Sequence, residues 1–129
     1  MKSKSVILLL EPDAILGQIY QTALTKNGRT VQWFRSAAAA IASIDKELPE
    51  LIVTELQLPL HNGVEFLYEL RSYQDLTSIP VIVLTNVPPP FKSFSAKLLG
   101  QLGIEAYHYK PLTKLADLIR SVERTLLPA

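Results

Sequence analysis

Cysteine is absent from this 129-residue chain, which excludes disulfide scaffolds, Cys-based zinc sites and thiol catalysis. Histidine is scarce: His61 and His108 are the only two, too few for a His-rich metal site. No sign of charge dominates. Lys and Arg number 13 and Asp and Glu 12, for a net charge of +1. That balance offers no electrostatic footprint for direct binding of nucleic acid or of an acidic membrane surface. Long hydrophobic runs are missing as well. Lys2 and Lys4 precede Val6-Ile7-Leu8-Leu9-Leu10, but Glu11 ends that run. It is too short for a signal-peptide core and far too short to span a bilayer. The expectation is a soluble, cytoplasmic protein.

What is present is a globular composition, with 48% hydrophobic and 19% charged residues. The length suits one domain, residues 1–129, able to bury a core without disulfides or a structural metal. Short apolar, β-branched runs alternate with segments of helical period. The runs are Val6 to Leu10, Val31 to Phe34, Leu51 to Thr54, Val81 to Thr85 and a weaker Ala106 to Tyr109. Several are apolar on both faces, as buried parallel strands are.

Five helices fall between and after the runs. Leu16, Ile19, Tyr20, Ala23 and Leu24 form one face of the first, which Asn27-Gly28 ends. Ser36 can cap a second, with Ala37, Ala40, Ile41 and Ile44 on one side. Asn62 to Glu65 has the spacing of a capping box for a third, with Val64, Leu67 and Leu70 inward. Pro88-Pro89-Pro90 bars an early start for a fourth, placed near Phe91 to Leu102. Leu115, Leu118, Ile119, Val122 and Leu126 mark a fifth. Strands and helices in alternation describe a doubly wound α/β domain with a parallel sheet.

In such a sheet, chemistry gathers outside the carboxyl ends of the strands. Glu11, Pro12 and Asp13 follow the first run, Glu55 and Gln57 the third, Thr85 and Asn86 end the fourth, and Lys110-Pro111 follows the fifth. Singly, each reads more readily as an ordinary loop or strand-end residue than as a functional one. Together they bring carboxylates, a hydroxyl and an ammonium to one rim, a set suited to a divalent cation or an oxyanion.

The order and spacing of these motifs resemble the receiver domain of two-component response regulators, of the chemotaxis type. The residues that carry the likeness are Ile7 to Asp13, Leu51 to Pro59 with Asn62-Gly63, Pro80 to Thr85, and Gly103 to Pro111. The resemblance implies a flavodoxin-like (βα)5 sandwich with strand order 2-1-3-4-5. It also implies phosphoryl transfer from a histidine kinase to an Asp after the third strand, with Mg²⁺ held by two acids after the first. Thr85, Tyr107 and Lys110 match the family's switch and phosphoryl-contact positions, with Pro111 beside the Lys.

The departures bear on function. Glu55 stands at the phosphoacceptor position, and Pro12 at the second, metal-ligating acid position. Glu11 keeps the first acid position. Asp13 falls one residue late and reads as a helix cap. Asn86 replaces the small residue usual after the switch Thr. Losing a carboxylate to Pro12 removes a ligand and a charge from a metal that wants near-ideal octahedral oxygen geometry. The extra methylene of Glu55 pushes its carboxylate outward by ~1.5 Å, toward Lys110 and Thr85. The acidic pocket of Glu11, Pro12 and Gln57 is then degenerate, and Mg²⁺ is expected to bind weakly or not at all.

The resulting expectation is a pseudo-receiver, not an enzyme: a protein-interaction module of a two-component or phosphorelay system, working without ordinary Asp phosphorylation. The alternative is a metal-dependent phosphoacceptor that uses Glu55. A flavin-binding flavodoxin-like protein is disfavoured, because the acidic loop Glu11-Pro12-Asp13 repels phosphate. Partners are expected to be a histidine kinase or an output protein. The fourth helix, rich in Phe91, Phe94, Leu98, Leu99 and Leu102, offers a surface for a partner or a homodimer together with the fifth strand and fifth helix. The other reading of those residues is a short helix buried on most sides.

Overall fold

A computed structural model describes residues 6–89 and 96–127. Five parallel strands form the sheet: β1 (Val6–Leu10), β2 (Thr30–Phe34), β3 (Leu51–Thr54), β4 (Val81–Thr85) and β5 (Ile104–Tyr109). Their order is β2-β1-β3-β4-β5. The chain reverses direction across the sheet between β1 and β3, where the strand ends open a crevice. The helices are α1 (Ala14–Lys26), α2 (Ala37–Lys46), α3 (Gly63–Ser72), α4 (Ala96–Gln101 as described) and α5 (Leu115–Leu126). Among the described residues no helix is long and apolar enough to cross a membrane.

The central strands are apolar on both faces because both faces are covered. Ile7, Leu9, Val53, Ile82 and Leu84 pack with Tyr20 and Leu24 of α1 and Leu118 and Val122 of α5. Leu8, Leu10, Ile52, Val81 and Val83 pack with α2 and α3 on the other side, where Phe66, Leu67 and Leu70 are buried. The edge strands β2 and β5 are only half-buried, and β5 is the run that reads as weaker in the sequence. β5 starts two residues before the expected Ala106. Glu105 is skipped in its register with β4, a bulge that breaks the alternation there.

Local signals act as read at most boundaries. Asp13 caps α1, accepting from Leu16 N at 2.8 Å, and Ser36 caps α2, accepting from Ala39 N at 3.2 Å. Gly28, at φ +91°, ends α1. Asn62 caps α3 through Val64 N at 2.8 Å, one position short of the box expected with Glu65. Ile19 and Leu115, expected on core faces, are 41% and 40% exposed. Gly17 takes the buried place on α1 instead, and the Trp33 ring lies against it, so Trp33 packs on a helix. In α4, the partly buried Leu98 and Leu99 pack against the core, and Leu102, just past the helix, is buried. Phe91 and Phe94 lie outside the described residues.

Candidate functional site

Each site residue is set by a strand end. Glu11 follows β1, and its N–H donates to Phe34 O at 3.0 Å, prolonging the ladder with β2. Glu55 follows β3, with its N–H donating to Leu10 O at 3.0 Å. Thr85 is the last residue of β4, and Lys110 follows β5 at the start of a short 3-10 turn, Lys110–Leu112. Because neighbouring parallel strands are hydrogen-bonded in register, their ends bring these four side chains together. Glu11, Glu55 and Thr85 are all buried.

The centre is an ammonium between two carboxylates. Lys110 Nζ lies 2.7 Å from Glu11 Oε1 and 2.8 Å from Glu55 Oε1. The side chains of Lys110, Glu11 and Glu55 are 8%, 3% and 3% exposed, so these pairs are poorly screened by solvent. The other oxygen of Glu55, Oε2, accepts from Leu56 N at 2.6 Å, Gln57 N at 3.0 Å and the Thr85 hydroxyl. Glu11 Oε2 accepts from Asp13 N at 3.1 Å.

The electrostatics follow from this geometry. Burial pushes the Glu55 pKa up, but Lys110, the Thr85 hydroxyl and Gln57 N–H outweigh it, and the net shift is downward. Burial likewise lowers the Lys110 pKa, but hydrogen bonds to Glu11 and Glu55 hold it above its ordinary value. The network continues outward. Thr85 Oγ1 accepts from Val87 N at 3.1 Å, and Tyr107 OH donates to Val87 O at 2.7 Å. Burial, with the Glu55 charge, pushes Tyr107 up to about 12. A continuous hydrogen-bonded path thus runs from residue 55 to β5.

The remaining expected positions are less central. Pro12 supplies only its carbonyl, which accepts from Arg35 Nε at 2.9 Å. Gln57 contributes its backbone N–H to Glu55, while its side chain is exposed. Pro111 and Asn86 are exposed on the rim. His108 Nε2 is 2.6 Å from Ser121 Oγ and ties β5 to α5. Two supports escape a reading of the sequence. Trp33 Nε1 donates to Glu11 O at 2.9 Å, and Thr54 Oγ1 donates to Glu55 O at 2.9 Å. A Thr ending an apolar run is a visible signal for the second; the first depends on a contact no local pattern encodes.

The model for the response regulator receiver domain matches residues 7–123. The chain belongs to the response regulator receiver domain family. Among relatives, it is 38% identical over 80 residues to the transcriptional regulatory protein QseB of Haemophilus influenzae, covering 61% of this chain and 35% of that protein. It is 31% identical over 124 residues to a probable transcriptional regulator, ycf27, of Porphyridium aerugineum, covering 94% of this chain and 49% of that one. The chain thus spans less than half the length of these two regulators. Among solved structures, the chemotaxis response regulator CheY4 of Vibrio cholerae aligns with TM-score 0.83 at 20% identity, over 96% of this chain and 100% of that one. The flavodoxin-like fold is therefore that of known receivers.

Proposed function

We propose that this receiver domain signals through protein contacts without ordinary phosphoryl transfer, as a pseudo-receiver and not as an enzyme. The observation that carries the reading is the Lys110 ammonium set between the Glu11 and Glu55 carboxylates. In-line transfer needs a positioned nucleophilic oxygen and metal charge on the phosphoryl group. Glu55 has one oxygen on Lys110 and the other closed by Thr85 and two backbone N–H groups. The Mg²⁺ that the family implies does not fit this donor set. Pro12 offers no side-chain ligand, and the two carboxylates share one ammonium where a metal needs their free oxygens.

Glu55 also supports a standing signalling state. Its carboxylate holds the Thr85 hydroxyl, which fixes Val87, which receives Tyr107. In this reading Glu55 does permanently what a phosphoryl group would do on demand. Other two-component proteins are the partners, met through the face of α4, β5 and α5, where a second copy of the chain can also dock.

A Mg²⁺ titration into the millimolar range tests this, followed by the emission of Trp33, the single Trp, and by backbone amides at residues 11 and 55–57. The proposal expects only weak, non-saturating changes. Saturable binding at those amides favours the alternative, a metal-dependent phosphoacceptor using Glu55.

A further inference from the structure

The far end of α3 is held as tightly as its start. Arg71, on the last turn, donates from Nε to Leu102 O at 2.9 Å, from Nη2 to Ile79 O at 2.6 Å and from Nη1 to Leu76 O. One guanidinium therefore gathers three main-chain carbonyls: one in the turn just after α4 and two in the segment that leads into β4. Its planar fork of donors suits this role, and an ammonium does not. Gly103, at φ +70°, lies directly against it, and a Cβ there would overlap the guanidinium.

The start of α3 repeats this arrangement. Gly63 N donates to Leu56 O at 2.8 Å, and a Cβ on Gly63 would stand 2.5 Å from Leu56 Cα. Leu56 is also the residue whose N–H the Glu55 carboxylate grips at 2.6 Å. The peptide held by the carboxylate is thus pressed, without slack, on the first residue of α3. The helix between, ten residues long, is about 15 Å of rigid backbone.

We propose that α3 is a rod coupling the Glu55 carboxylate to the α4–β5 turn, with Gly63 and Arg71 as its positioning residues at the two ends. The route is separate from the hydroxyl path through Thr85, Val87 and Tyr107. It acts on the opposite end of α4, at Leu102 and Gly103, whose N–H groups bond Leu98 O at 2.9 Å and Gly100 O at 3.1 Å. Close glycine contacts at both ends let a small shift of the Leu56 peptide pass along the helix, because packed interiors do not absorb displacement in voids.

The test is a double-mutant cycle read by amide hydrogen exchange and chemical shift in the full chain. Glu55→Gln should raise exchange at Leu102 and Gly103 by about threefold or more, within the range of coupled contacts. In an Arg71→Lys background, that response should vanish while the response at Val87 persists. In a Thr85→Val background, which cuts the hydroxyl path, the Gly103 response should remain. The Thr85→Val arm stands by itself if Arg71→Lys fails to fold. A Glu55→Gln response confined to Val87 and Tyr107, equal with and without Arg71, or abolished by Thr85→Val, overturns the proposal.

Discussion

Replacing Lys110 with Met removes the ammonium between two buried carboxylates and keeps an unbranched side chain one atom shorter. Both glutamates then face each other with no ammonium, each 3% exposed in its side chain. Breaking a buried pair by removing one partner costs about 3–5 kcal/mol, because the other charge is left uncompensated. Here two charges are left, so the upper half of the range is expected near neutral pH. Against a total stability of about 5–15 kcal/mol, that leaves a marginal fold. With a urea slope of about 1–3 kcal/mol per M, the midpoint should fall by roughly 2 M. Trp33 emission reports the transition. The pH dependence should invert. In the parent, Glu55 titrates below its ordinary 4.5, so its contribution is complete above that value and is lost as pH falls through the lowered folded pKa. In Lys110→Met, burial and the facing carboxylate raise the folded pKa, so the variant gains stability on acidification from neutral toward about pH 5. A variant as stable as the parent at neutral pH, or one that loses stability on the same acidification, refutes the reasoning.

Other consequences are open to measurement. Glu55→Asp with Pro12→Asp should accept phosphoryl from acetyl phosphate in Mg²⁺, while Pro12→Asp alone stays unlabelled; the two changes act on one transition state and should be non-additive on phosphate-affinity gels. Gly17→Ala forces a Cβ into the Trp33 ring and should destabilise by about 1–3 kcal/mol with a red-shifted emission, measured by urea melts. Arg29→Ala removes a two-bond pair to Glu123, both bonds 2.8 Å, that ties the start of β2 to α5. Its partners are partly exposed, so the loss should be only about 0.2–1 kcal/mol and should shrink in salt.

Much of this molecule is legible in its sequence, for identifiable reasons. β1, β3 and β4 are continuous apolar runs because helices cover both faces of the sheet. The site residues stand just past the carboxyl end of each run, or close it, and Glu11, Glu55, Thr85 and Lys110 do meet. Contact between distant residues is what escapes the reading. Nothing local marks Gly17 as the bed for Trp33, or Arg71 as the clasp on Leu102, Leu76 and Ile79. The short antiparallel pairing of Gln57–Leu58 with His61–Asn62 is also invisible, because its turn places Leu60 at φ +63°, a conformation a Leu does not advertise. Ile19 and Leu115 satisfy the helical period yet lie at the margin of the core, where periodicity cannot say how far the cover extends.

The central claim is that the Glu55–Lys110–Glu11 arrangement closes the phosphoacceptor site. The most direct measurement is the intact mass of the unmodified chain after incubation with acetyl phosphate and millimolar Mg²⁺, beside the Glu55→Asp, Pro12→Asp double variant as a positive control. The account predicts an unchanged mass for the parent under conditions that label the control. One acid-labile phosphoryl group on the parent, mapped to Glu55, contradicts it.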